Sequence, residues 1–142
     1  MAKLSLAAAG MLAATFSSAQ GSYGTETISD PYGNTVTVGP ILDTVSAYDY
    51  GRSLGVREDI LDMTDAYFSD VSIREISGVV AAINRGDGRI IIDPDVAIDP
   101  DYFIHELAHN QYGYNCKHTA FTERLLRMQH GRSVPDTDPH CR

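Results

Sequence analysis

A chain of 142 residues with 43% hydrophobic side chains supports one compact core and leaves too little for two. Eleven basic residues, scattered along the chain, stand against nineteen acidic ones for a net charge of −8, which excludes the positive patch that nucleic-acid phosphates require. No apolar run reaches the roughly 18–20 residues that span a bilayer, so a monomer with no nucleic-acid partner and no membrane span is expected.

Residues 1–19 carry a basic start at Lys3, an apolar stretch from Leu4 to Phe16, and small residues ending Ser17-Ser18-Ala19. This is the layout of a secretory signal peptide. It leaves 20–142 as a single domain and a secreted or periplasmic location. Export in turn governs the two cysteines, Cys116 and Cys141, because an oxidising compartment makes a disulfide the default fate of a pair. Closing that loop is worth about 3 kcal/mol in the chain-entropy account. Without export, Cys116 becomes a candidate metal ligand instead.

Thr25–Ser29 and Thr35–Val38 are short β-branched runs flanking Asp30-Pro31-Tyr32-Gly33-Asn34, a cluster of turn formers, and predict a hairpin at the edge of the domain. From Pro40 the apolar residues Ile41, Leu42, Val45 and Tyr48 recur at helical spacing until Gly51–Gly55, and a second helix is predicted over Glu58–Phe68. Val71–Ile76, Val79–Ile83 and Arg89–Ile92 are three strand candidates. The last two flank Asn84-Arg85-Gly86-Asp87-Gly88, which supplies the positive φ of a tight reversal. That turn accounts for all three residues of the embedded Arg-Gly-Asp, so an adhesion role is not needed to explain it.

Asp99-Pro100-Asp101 is a strong helix start and Gly113 a natural stop. Between them, successive residues advance about 100°, so His105 and His109 lie about 40° apart on one face while Phe103 and Leu107 lie roughly opposite. The pattern is His-Glu-x-x-His. Histidines one turn apart converge on one Zn²⁺, and Glu106 between them reaches the metal-bound water as general base.

A catalytic zinc site needs a third ligand and an open position. Tyr114 to Lys117 can span at most about 13 Å, enough to turn the chain back and point His118 at the metal from the start of a helix over His118–Gln129. On that helix His118 lies within about 20° of Leu125 and so faces inward, whereas Glu123 sits one turn before Arg127, as half of an exposed ion pair would. His118 is the preferred third ligand; Glu123, Cys116, His130 and an unassigned aspartate stay open as alternatives. Asp101, one turn before His105, can orient an imidazole or simply cap the helix. Tyr112 and Tyr114 flank Gly113 and can stabilise a transition-state oxyanion, with packing as the competing explanation.

His105-Glu-Leu-Ala-His109-Asn, Gly113 and His118-Thr-Ala-Phe121 together resemble the zincin metallopeptidases, most closely the compact SprT-like and WLM-type group. The resemblance covers about residues 89–130. It implies a small α+β zincin-like domain: a short, mostly antiparallel sheet, an active-site helix and a C-terminal helix, with Arg89–Ile92 as the edge strand along which a peptide lies. Tyr112 and Asn115 stand where the longer metzincin motif has its last Gly and His, and the basic surface and zinc ribbon of SprT-like proteases are absent. The expectation is a secreted zinc metallopeptidase acting on a peptide or protein substrate, with Zn²⁺ on His105, His109 and His118 and Glu106 as general base. The alternatives are a zinc amidase acting on cell-wall peptide, or a non-catalytic zinc- or protein-binding module on the same scaffold.

Overall fold

The computed structural model describes residues 24–29, 33–78, 80–113 and 116–136. The signal segment, Asp30, Pro31 and Tyr32 of the first turn, Val79, Tyr114 and Cys141 lie outside the described residues.

The described chain is α+β. A first hairpin joins β1 (Glu26–Ser29) to β2 (Thr35–Val38), antiparallel in the register Ile28 to Val36. Strand β3 (Asp43–Ser46) leads into helices α1 (Ala47–Ser53) and α2 (Glu58–Met63). After β4 (Asp70–Ile73), β5 (Ile76–Ser77), β6 (Ala82–Asn84) and β7 (Arg89–Ile92), the chain ends in two longer helices, α3 (Pro100–Tyr112) and α4 (Lys117–His130). The strands form a three-stranded sheet in the order β1-β2-β5 and a four-stranded sheet in the order β3-β4-β7-β6. Every pairing is antiparallel except that of β4 with β7.

The larger sheet is covered on both faces. Val71, Ile73, Ile90 and Ile92 face the helices, in one core with Ile60, Leu61, Phe103, Leu107 and Leu125. Ile83 and Ile91 face the other way and meet Ile28, Val36 and Val38 of the small sheet. Three consecutive isoleucines in β7 are what a strand buried on both faces requires. This also corrects the expected edge: β7 lies between β4 and β6, and the terminal strand on that side is β6.

Three further expectations are corrected, each for a local reason. Residues 43–46 form a strand paired to β4 rather than the start of a helix; the helix begins only at Ala47, where the Ser46 hydroxyl accepts the Asp49 N–H. Ile41 and Leu42, which suggested the helical spacing, are exposed. The second helix stops at Met63, because the Thr64 hydroxyl turns back onto the Ile60 carbonyl at 2.8 Å and Asp65 takes a left-handed φ of 55°; a 3-10 turn over Ala66–Phe68 follows. The Val71–Ile76 run divides between the two sheets. Buried Arg74 stands at the crossing, donating to the Gly39 carbonyl at 2.6 Å and to Glu26 at 2.8 Å.

Helix α1 approaches the core closely. A Cβ on Gly51 would lie 2.5 Å from Leu61 Cδ2 and 2.9 Å from the Phe103 ring. Beside it Tyr50 packs edge-on to Phe103 with centroids 5.0 Å apart and donates its hydroxyl to the Ala97 carbonyl. Burial pushes that phenol up to about 12.

Candidate metal centre

Helix α3 starts where the Asp99 carboxylate accepts the Asp101 N–H at 2.9 Å and ends at Gly113, whose N–H donates to the His109 carbonyl at 2.9 Å. Gly113 has φ 61°, a value open to glycine at little cost. Phe103, Ile104, Leu107 and Ala108 are fully buried on the core side. The helix is thereby fixed in rotation, and His105 and His109 turn toward α4.

Helix α4 brings His118. Its inward face is His118, Phe121, Thr122, Leu125 and Leu126, which seats the imidazole against α3 from the second helix. The His105 and His109 ring centroids are 5.1 Å apart, those of His105 and His118 5.2 Å, and those of His109 and His118 4.2 Å. One ring nitrogen from each lies within 4.8 Å of the others. His118 is 0% exposed and His109 5%.

Two of the rings have their orientation set by an oxygen acceptor. His109 donates Nδ1–H to the Gly113 carbonyl at 2.5 Å, so the glycine that stops the helix also orients the second histidine. His105 Nδ1 donates to Asp136 Oδ1 at 2.9 Å. A ring that gives its Nδ1 proton away presents a lone pair at Nε2, the form in which histidine binds a metal. With His118 seated beside these two rings, the three imidazole nitrogens can hold a metal ion and suit zinc chemically.

Glu106 is 6% exposed and, three residues before His109, lies about 60° from it around the helix. Its backbone carbonyl accepts from Asn84 Nδ2 at 2.8 Å, and the same amide donates to Asn110 Oδ1 at 2.8 Å. Asn110 Nδ2 in turn donates to the Thr64 carbonyl and to Ser69 Oγ. This buried amide chain ties α3 to β6 and to the 3-10 turn. Sequence reasoning gave Asn84 only a turn role, and no local pattern marks it otherwise. Next to it, a cavity of about 270 Å³ reaches His109 between Phe68, Asn84 and Asp87. Phe68 on its rim is 85% exposed. Asp87 is tied to Arg89 at 2.8 Å, which holds its carboxyl below the usual range.

The other candidate residues fall elsewhere. Cys116 is disulfide-bonded, which removes it as a thiolate ligand. His130 pairs with Asp101 at 2.7 Å, so Asp101 joins the ends of α3 and α4 and orients none of the three clustered rings. Glu123, weighed both as a ligand and as a partner of Arg127, accepts the Asp136 N–H at 2.9 Å. Tyr112 lies with its ring edge-on to Phe121, centroids 5.2 Å apart. The residue missed altogether is Asp136, which left no signal because it lies in an irregular tail far from the motif in sequence. No protein-family model, curated protein or solved structure matches this chain.

Proposed function

We propose that this protein is a secreted zinc-dependent metallopeptidase with a zincin-like domain. The reading is carried by one observation: His118, from a second helix, meets His105 and His109 of the His-Glu-x-x-His helix with ligand nitrogens within 4.8 Å. Such a convergence does not follow from the helix motif alone. A zinc ion held by these three rings would supply Lewis acidity and make an adjacent water far more acidic, so that hydroxide becomes available near neutral pH.

The chain's own groups then do the following. Glu106 takes the proton of the attacking water on a carboxylate oxygen and passes it to the departing amine nitrogen, as the peptide C–N bond breaks and the water oxygen joins the carbonyl carbon. The Gly113 carbonyl holds the His109 ring in one tautomer. In this reading the substrate lies in the cavity that Phe68, Asn84 and His109 line. The leader-like start and the disulfide at Cys116 support an extracytoplasmic location.

A second reading is favoured by burial. Glu106, His109 and His118 are all nearly inaccessible, as in a zinc-binding module that performs no turnover. Glu106→Gln separates the two. In the peptidase, this variant keeps one zinc per chain and loses at least about a hundredfold in peptide hydrolysis. If the variant cleaves peptides at the wild-type rate, the proposed mechanism is wrong.

A further inference from the structure

We infer that Asp136 is a positioning residue of the metal centre, carried to it by the chain segment that follows α4. The inference rests on the metal-binding reading and adds a fourth side chain to the three histidines.

Beyond Gly131, residues 131–133 and Pro135 are exposed, as a polar tail should be. Asp136 departs from this: its side chain is 5% exposed. Burying a carboxylate is costly unless the site it enters compensates. What it meets there is the histidine cluster. Oδ1 lies 2.9 Å from His105 Nδ1, within hydrogen-bond reach, and Oδ2 lies 3.7 Å from His118 Nε2, so the carboxylate bonds the ring of one helix and neighbours that of the other. It stands outside the group of mutually close ligand atoms, which the three histidines make up. Toward His105 its geometry is that of a carboxylate behind an imidazole, holding the ring and raising its basicity, with Nε2 left to the metal.

The segment is built to deliver it. Val134 packs on the main core, and its position before Pro135 restricts it to extended conformations. The Asp136 N–H is then fixed to Glu123 Oε2 at 2.9 Å. Glu123 therefore acts on the site at one remove, as the anchor of the segment that bears Asp136. His105 and His109 are held by the same device, a donated Nδ1 proton. A backbone carbonyl takes it from His109 and a tail carboxylate from His105.

The test is zinc affinity of the full-length chain at fixed pH, by competition with a chromophoric chelator. It is accompanied by the visible spectrum of the cobalt-substituted protein and by the Nδ1 proton resonance of His105 in the zinc-loaded state. Asp136→Ala should weaken zinc binding by roughly 10–100-fold, shift the cobalt bands and abolish the slowly exchanging His105 Nδ1 proton, while that of His109 persists. Asp136→Asn keeps an acceptor oxygen without the charge, and should lose roughly tenfold with the His105 proton retained. This variant carries the test if the alanine chain does not fold. A tail that only packs would lower the melting temperature of the metal-free protein and leave the spectrum and the His105 proton unmoved, and that result overturns the inference. So does affinity within about twofold of wild type in both variants. If wild type binds zinc, His118→Ala loses it and Asp136→Ala does not, the positioning role alone fails. A wild type that takes up no zinc removes both.

Discussion

Replacing Asn84 by aspartate exchanges one NH₂ for an oxygen, and the surroundings make that exchange severe. Asn84 is fully buried. Its Nδ2 donates to the Glu106 carbonyl and to Asn110 Oδ1, while its Oδ1 accepts the Gly86 N–H, all at 2.8 Å. Aspartate keeps the last bond and turns the first two into oxygen facing oxygen. Asn110 cannot rotate to help without giving up its own donations to the Thr64 carbonyl and Ser69 Oγ. A buried partner left unsatisfied costs about 1–3 kcal/mol. With two such partners, the expected loss is about 3–5 kcal/mol, or a drop of at least about 10 °C in melting temperature for a domain of this size. Urea unfolding followed by far-UV circular dichroism measures it, with Asn84→Ala alongside; alanine strands the same two acceptors and also the Gly86 N–H but sets no oxygen against an oxygen, so both variants should be destabilised by more than about 1 kcal/mol. An aspartate variant within about 0.5 kcal/mol of wild type would refute the argument that this amide chain fixes α3 on the sheet.

Two other outcomes are expected. Gly51→Ala forces a methyl against Leu61 and Phe103 and should destabilise by about 1–3 kcal/mol in the same unfolding assay, although alanine is the better helix former. Glu26 is held below its ordinary value chiefly by its hydrogen bond from Arg74. Its contribution is therefore present in full above the usual glutamate value of about 4.3 and fades as the pH falls through the lower folded-state value. Because Glu26 is half exposed, Glu26→Gln should cost no more than about 1 kcal/mol at pH 7. The gap from wild type should narrow on acidification below about pH 4, and a gap that widens there would contradict the assignment.

What could be read in the residues depended on how local its cause is. The start and stop of α3 follow from Asp99, Pro100 and Gly113, and the structure has them there. The first hairpin and the β6–β7 hairpin follow from their turn formers and β-branched runs. Where a distant partner decides, local reading failed. Val45 and Tyr48 have helical spacing, yet residues 43–46 pair with β4, which lies far along the chain. The isoleucines of β7 marked a strand without disclosing that a second sheet would cover its other face. His118 was legible because an inward position on α4 and a short connection leave it few other places. Asp136 was not, because nothing in the order of residues 131–136 ties the tail to His105; Glu123 does so through a backbone N–H. The same bond explains why Glu123, expected beside Arg127, turns to the tail instead.

The central claim is that His105, His109 and His118 form one zinc site, and elemental analysis of protein purified without chelator tests it most directly. Wild type should carry one zinc per chain, and His118→Ala, which removes one of three nitrogens lying within 4.8 Å of one another, should carry almost none while remaining folded. A folded wild type that contains no zinc and takes up none on addition would contradict the account.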